Sequence, residues 1–150
     1  MIRPGNIGDR TRAVTLLRDS HQAAGFAGAA GFVFPFDCAY AARLYAAHLD
    51  QVDACCLVLD VAGVAQGLLM AVAYEHPHGP VRLARESVWW IDPAHRGRSA
   101  IAMLDAYEAW AAERQCAFAG MAGMGDDPDV AKLYLRRGYF AAERHFLKGL

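Results

Sequence analysis

Residues 86–101, ESVWWIDPAHRGRSAI, place a hydrophobic run, an Asp-Pro break and a basic turn with glycine in immediate succession. The run is rich in aromatic and β-branched side chains, which favour strands. Pro93 ends the run because proline has no backbone N–H to donate to a sheet. Beyond the turn, Ile101, Leu104 and Tyr107 recur at helical spacing. The segment therefore predicts a strand that passes through a tight turn into a helix.

Hydrophobic periodicity and turn residues along the rest of the chain predict a mixed sheet. The predicted strands are 2–4, 54–61, 64–74, 81–91, 116–121 and 139–147. The predicted helices follow Asp9 and Asp37 as N-caps, span about 99–115, and span about 128–136 after Asp126 or Asp127. Three consecutive strands, two of them joined by Ala62-Gly63, predict an antiparallel meander. The fold class is α/β (α+β), with a mostly antiparallel sheet flanked by helices.

Length and composition limit the organisation of the chain and its partners. The 150 residues predict a single domain, 1–150, and 55% hydrophobic content argues against disorder. Fifteen Lys and Arg balance sixteen Asp and Glu, so no net field attracts nucleic acid or an anionic membrane. No apolar run approaches the ~20 residues of a membrane span, and the N-terminus lacks the apolar core of a signal peptide. We expect a cytoplasmic protein.

The turn after the strand has the composition of an anion site. Gly97 allows close approach of the backbone, Arg96 and Arg98 supply positive charge, and Ser99 can cap the helix or bind an oxygen. Free N–H groups at a helix start attract phosphate. The alternative is an ordinary capped helix with two solvated arginines.

Two motifs resemble the GNAT-type N-acetyltransferases. WWIDPAHRGRSAI, residues 89–101, is similar to the family turn that cradles the pyrophosphate of acetyl-CoA, although Ser99 and Ile101 stand where the family usually has glycine or alanine. LYLRRGY, residues 133–139, is similar to a second family motif downstream. The resemblance implies splayed central strands, acetyl-CoA as co-substrate and an amine acceptor, either a small molecule or a peptide. The cofactor-binding residues that it implies are Trp89, Trp90, Ile91, Arg96, Gly97, Arg98, Ser99, Ala100, Ile101 and Ala102.

Glu86 and Tyr134 are the catalytic candidates that the resemblance implies. Glu86 matches the position of a base that acts through water, and strand alternation predicts that it shares a face with Val88 and Trp90. The alternative for Glu86 is an exposed residue paired with Arg82 or Arg85. Tyr134 matches the tyrosine that protonates the sulfur of CoA, and the alternative is a tyrosine that only packs.

The loop 25–36 mixes glycine and phenylalanine, and this composition predicts a loop folded over another part of the protein. The resemblance implies that the loop and the first helices cover the acceptor pocket, where the substrate-binding candidates are Phe34, Phe36 and Tyr40. Core packing of the second helix is the alternative. We expect Trp89, Trp90, Tyr107 and Trp110 to lie mainly in the core.

The other candidate sites are excluded by spacing. His76 and His78 lack a third ligand, so we expect no metal. The four cysteines show no CxxC spacing and predict buried free thiols. The resemblance further implies a homodimer. Besides catalysis, a second hypothesis is a catalytically weak acyl-CoA-binding or interaction module with the same fold.

Overall fold

The computed structural model describes residues 1–124 and 129–150. Its strands form one sheet in the order β1-β2-β3-β4-β5. The strands are β1 Ile2–Pro4, β2 Ala54–Val61, β3 Val64–Glu75, β4 Arg82–Ile91 and β5 Phe118–Gly120. Strands β1 to β4 pair antiparallel, and β5 pairs parallel with β4. The predicted mixed, mostly antiparallel sheet is confirmed.

Helices cover both faces of the sheet. They are α1 Arg10–Ala23, α2 Cys38–Asp50, α3 Arg98–Glu113 and α4 Ala131–Arg136. Leu16 of α1 and Tyr45 of α2 share one core cluster with Val58 and Leu68 of the sheet. The other face of the sheet forms a second cluster with α3. We call these two sides the α1/α2 face and the α3 face.

The cysteine prediction is only partly correct. Cys55 belongs to the core on the α3 face and its neighbour Cys56 to the core on the α1/α2 face, as strand alternation requires. Burial raises the pKa of each of these two thiols to about 12. All four cysteines are free, but Cys38 is exposed rather than buried.

The first helix begins differently from the prediction. Asn6, not Asp9, accepts the capping hydrogen bond, from the N–H of Gly8 at 2.8 Å, and a 3-10 turn precedes α1. Asp9 instead forms an ion pair with Arg3 at 2.7 Å. The predicted cap of α2 is confirmed, because the Asp37 carboxylate accepts from the N–H of Tyr40 at 2.7 Å.

A β-bulge interrupts β4 next to Glu86, one of the two catalytic candidates. Val88 pairs with Met70, and Glu86 pairs with the next residue, Ala71, so Ser87 is the extra residue of the bulge. An extra residue moves the side chains before it to the opposite face. Glu86 therefore lies on the α3 face with Ala71, and the prediction that it shares a face with Val88 is wrong.

The central strands separate beyond this bulge. β5 pairs with β4 only at Leu83, Ala84 and Arg85, so the edge of β4 from Glu86 onwards has no β5 partner. The expected splay of the central strands is confirmed. The open edge runs directly toward the start of α3.

The predicted strand 139–147 is wrong. The structure has no strand there, and Phe140 and Phe146 are 71% and 86% exposed. A strand requires a partner edge for its backbone hydrogen bonds, and β5 is a strand of only three residues. The predicted opening of α4 by Asp126 or Asp127 lies outside the described residues.

None of the helices that the structure describes is both long enough and apolar enough to cross a bilayer.

Candidate active site

Glu86 and Tyr134 meet at the same residue of the segment that follows β5. Glu86 Oε2 accepts a hydrogen bond from the N–H of Ala122 at 2.9 Å. The Tyr134 hydroxyl donates to the carbonyl of Ala122 at 3.0 Å. The two predicted catalytic side chains are thus brought together at the splay of the sheet, although no sequence pattern indicated Ala122.

The LYLRRGY motif positions Tyr134 through a C-terminal helix cap. Gly138 has φ of 89°, and the N–H of Tyr139 bonds to the carbonyl of Tyr134 at 3.1 Å. This Schellman geometry requires a residue that tolerates the left-handed region. It also places the rings of Tyr134 and Tyr139 5.6 Å apart. The Tyr139 hydroxyl donates to Glu108 of α3 at 3.0 Å, which fixes α4 against α3.

The protein surroundings raise the pKa of both Glu86 and Tyr134. Burial raises the pKa of Glu86, while the N–H of Ala122 and the charge of Arg85 oppose that rise. Burial also raises the pKa of Tyr134, and the nearby charge of Glu86 adds to the effect. A carboxylate with a raised pKa binds a proton more readily, and a buried phenol keeps its proton at neutral pH. This pair combines a proton acceptor with a proton donor.

The turn before α3 offers open backbone to an anion. Gly97 is the N-cap residue, has φ of 96°, and a Cβ built on it would meet nothing within 4 Å. No side chain caps the helix. The first N–H groups of α3 therefore have no side-chain acceptor, and phosphate oxygens can accept hydrogen bonds from them.

The arginines of the turn lie on either side of Gly97. Arg96 is held in place, because its Nε donates to the carbonyl of Ile91 at 2.9 Å and its guanidinium lies 4.7 Å from the centre of the Trp90 ring. Arg98 is exposed at the first position of α3. The Ser99 hydroxyl donates to the carbonyl of His95, so it does not cap the helix. The residues of this turn fit the diphosphate of a CoA thioester.

The other predicted cofactor residues divide between core and surface. Trp89 packs on the α3 face, with its ring 6.1 Å from that of Tyr134, and Trp90 packs on the α1/α2 face. Neither buried indole N–H has a hydrogen-bond partner among the described residues. Ile91 is buried. In the first turns of α3, Ala100 is partly buried, and Ile101 and Ala102 are exposed.

An apolar groove of about 210 Å³ lies between α1, α2 and their connecting loop. Two of the substrate-binding candidates, Phe36 and Tyr40, line it together with Leu44 and Val88. Phe34 is not part of the lining but packs edge-on against Phe26, 5.4 Å between ring centres, and Phe26 does line the groove. The loop is therefore a cluster of aromatic rings at the mouth of the groove. Phe36 also packs against the core, which is the alternative interpretation of this aromatic segment.

Sequence reasoning did not single out His48 and Ser87, which adjoin two lining residues of this groove: His48 lies one turn of α2 after Leu44, and Ser87 precedes Val88. Their side chains lie 3.4 Å apart. The helical pattern of α2 includes position 48, but the proximity to Ser87 depends on the bulge of β4.

The two histidines of the β3–β4 turn pair with each other rather than with a third ligand. Their rings are 5.2 Å apart, and the N–H of His78 donates to Nδ1 of His76 at 3.1 Å. Among residues 1–124 and 129–150, no group of three His, Cys, Asp or Glu side chains converges as a metal site.

Comparison with solved structures identifies the architecture. A ribosomal-protein-alanine N-acetyltransferase from Brucella melitensis biovar Abortus superposes with a TM-score of 0.74 at 21% identity, over 100% of this chain and 99% of that one. A GNAT family acetyltransferase of Staphylococcus aureus gives 0.71 at 16% identity, over 100% and 98%. This chain has the GNAT fold. A predicted acetyltransferase from Clostridium acetobutylicum, solved with acetyl-CoA, gives 0.77 at 13% identity, over 99% and 95%.

No family model matches the sequence, and no curated protein matches it. At these sequence identities, the structural similarity establishes the GNAT fold of this chain and does not establish a reaction. Within this fold, Glu86 lies on the part of β4 that has no β5 partner. From the end of β4 the chain continues through a short 3-10 turn to the uncapped start of α3.

Proposed function

We propose that this protein is an N-acetyltransferase that moves an acetyl group from acetyl-CoA to a primary amine by direct attack in a ternary complex. The observation that carries the proposal is the open edge of β4, which leads from Glu86 to the uncapped, arginine-flanked start of α3. The amides of an extended pantetheine arm can hydrogen-bond to such an unpaired strand edge. The diphosphate of CoA can bind to the free N–H groups at such a helix end.

Arg96, Gly97 and Arg98 are the residues that we propose hold the diphosphate. Arg96 is already oriented by Ile91 and Trp90, so binding costs little of its side-chain freedom. Ser99, Ala100, Ile101 and Ala102 form the first turns of α3 behind that turn. Acetyl-CoA supplies an acetyl group activated as a thioester.

Tyr134 is the proposed proton donor to the departing sulfur. Its hydroxyl proton is present at neutral pH because the ordinary pKa of a phenol is about 10 and burial raises the pKa of Tyr134 further. A developing thiolate is a stronger acceptor than the Ala122 carbonyl to which the hydroxyl donates. Glu86 is the proposed acceptor of a proton from the amine nitrogen, through water. The raised pKa of Glu86 strengthens it as a base.

The acceptor enters through the groove between α1 and α2 in this proposal. The groove is mainly apolar, and aromatic rings of Phe26 and Phe36 line it. Aromatic faces attract ammonium groups as well as apolar bodies. We therefore propose an amine carried on an apolar or aromatic body, such as a hydrophobic small molecule or the N-terminus of a peptide.

Calorimetric titration with acetyl-CoA, followed by thiol release with a panel of amines, tests the proposal. We expect acetyl-CoA to bind at tens of micromolar or tighter and 2-phenylethylamine to accelerate thiol release. Binding with no acceleration by any amine would instead support the acyl-CoA-binding module. No binding of acetyl-CoA would refute both.

A further inference from the structure

His48 is a buried polar side chain that the proposed reaction does not yet use. It lies in the last turn of α2 and is only 7% exposed. Its Nδ1 lies 2.9 Å from the carbonyl of Leu44, and a carbonyl oxygen can only accept, so the proton of the neutral ring is on Nδ1. The lone pair of Nε2 is thus free to accept, and it is directed at the hydroxyl of Ser87 3.4 Å away.

The bulge of β4 places Ser87 at the groove. As the extra residue, Ser87 lies on the α2 side of the strand, whereas Glu86 lies on the α3 face. Ser87 is exposed, and the next residue, Val88, lines the groove. Leu44, whose carbonyl orients His48, lines the same groove. Because Ser87 directly precedes Val88 and His48 lies one turn of α2 after Leu44, the Ser87–His48 pair adjoins two residues that line the groove.

A primary ammonium group must lose two protons to become an amide nitrogen, and Glu86 accounts for one of them. We infer that Ser87 and His48 form a second proton path, which removes the first proton from the ammonium group before attack. In this step the ammonium N–H proton passes to Ser87 Oγ while the Ser87 proton passes to Nε2 of His48. The free amine results, and the imidazolium returns its proton to solvent along the same path after the product leaves.

The remaining protons balance in this scheme, which rests on the proposed acetyl transfer. The new C–N bond forms as the C–S bond breaks, the second nitrogen proton goes to Glu86, and Tyr134 gives one proton to sulfur. After the product leaves, Glu86 gives its proton to solvent water and Tyr134 regains a proton from solvent water. One proton is released overall. Ser87 is the catalytic residue of this path, and His48 is a positioning residue that acts through it.

Ser87→Thr and Ser87→Val form a matched pair that tests the path, since the two side chains have the same shape and only threonine keeps the hydroxyl. Both are β-branched and suit an exposed strand position. With 2-phenylethylamine as acceptor, we expect kcat of the valine variant to be about 10²-fold below that of the threonine variant, as for loss of a general base. The KM for acetyl-CoA should agree within about twofold between the two variants, because the substitution does not remove a contact that binds acetyl-CoA.

Hydroxylamine, which is already neutral at neutral pH, serves as the second acceptor. It needs no first deprotonation, so the two variants should turn it over at equal rates, whereas Glu86→Gln should slow both acceptors. Equal kcat of the two Ser87 variants with 2-phenylethylamine would overturn the path and leave the acetyl transfer intact. Absence of turnover by the unmodified protein with every amine would instead overturn the proposed function.

A measurement independent of turnover uses the imidazole ¹⁵N signals of the full chain. Addition of 2-phenylethylamine should shift the Nε2 signal of His48 in the Ser87→Thr variant and leave it in place in Ser87→Val. If the signal does not move in the threonine variant, the amine does not reach the pair and the path is wrong.

Discussion

Glu86 and Tyr134 both hydrogen-bond to the backbone of Ala122. Glu86 accepts from the N–H of Ala122 at 2.9 Å, and Tyr134 donates to the carbonyl of Ala122 at 3.0 Å. The carboxylate comes from β4 and the phenol from α4. Their contact through Ala122 couples the open edge of β4 to the C-terminal part of the chain. The coupling also brings the charge of Glu86 near Tyr134, where it helps to raise the phenol pKa.

Tyr134→Phe removes the proposed proton donor and keeps the packing against Trp89 and Tyr139. We expect kcat to fall by about 10²-fold, the usual contribution of a positioned acid. Tyr139→Phe is the control, since it loses only the bond to Glu108 and should mainly lower the melting temperature. A kcat for Tyr134→Phe within twofold of the unmodified protein would exclude the donor role.

The pH dependence of kcat should also report Tyr134. The protonated phenol is the active form, so kcat falls as pH rises through its pKa. Burial raises that pKa, and Tyr134 should therefore stay active beyond the ordinary phenol value of about 10. A decline that begins below that value and disappears in Tyr134→Phe would contradict the burial of the group.

Glu86→Gln tests the base while keeping an oxygen for the N–H of Ala122. The ionised carboxylate is the active form, so kcat/KM rises with pH through the pKa of Glu86. Because burial raises this pKa, the rise should lie above the usual range of a glutamate. The glutamine variant should lose this rise together with most of its activity. An unchanged pH profile in the variant would assign the base elsewhere.

Stability gives a second check on Glu86. A carboxyl whose pKa is higher in the folded than in the unfolded state binds more protons when folded, so the free energy of unfolding falls as pH rises through these two values. At neutral pH the ionised carboxylate thus lowers stability. We expect Glu86→Gln to melt at the same temperature as the unmodified protein or higher, as measured by circular dichroism.

Gly97→Ala probes the turn before α3. A positive φ of 96° costs an alanine about 1 kcal/mol or more, so either the turn shifts or the helix start is strained. We expect the Kd for acetyl-CoA to rise about fivefold or more. Gly79→Ala is the matched control, because Gly79 also has open space but lacks a positive φ. Equal Kd values for the two variants in calorimetry would remove Gly97 from the binding site.

Phe36→Ser removes an aromatic ring from the groove between α1 and α2. The KM for 2-phenylethylamine should rise by about tenfold, the effect of roughly 1.4 kcal/mol of lost apolar contact, with the Kd for acetyl-CoA unchanged. Phe140→Ser is the control, since Phe140 is 71% exposed outside the groove. If both variants show the same KM, the groove is not the acceptor site.

The sequence predicted the segment from β4 into α3 because each of its signals is local. A hydrophobic run, Asp92-Pro93 and Gly97 each restrict the backbone over a few residues, and the structure keeps them in that order. The hairpin at Ala62-Gly63 was predictable for the same reason, and both residues have positive φ.

The errors concern features that depend on distant parts of the chain. The face of Glu86 depends on the bulge at Ser87, which is visible only in the pairing with β3. The pattern of residues 139–147 suits a strand, but a strand also needs a neighbouring edge. The proximity of His48 and Ser87 requires both α2 and the bulge to be in place.

Amine-dependent release of the CoA thiol decides whether this protein transfers acetyl groups to amines. We expect 2-phenylethylamine to accelerate thiol release from acetyl-CoA by the unmodified protein, with one acetylated amine formed for each thiol, and Tyr134→Phe to be about 10²-fold slower. Thiol release that stays at the rate without amine, across small amines and peptide N-termini alike, would rule out the proposed acetyl transfer.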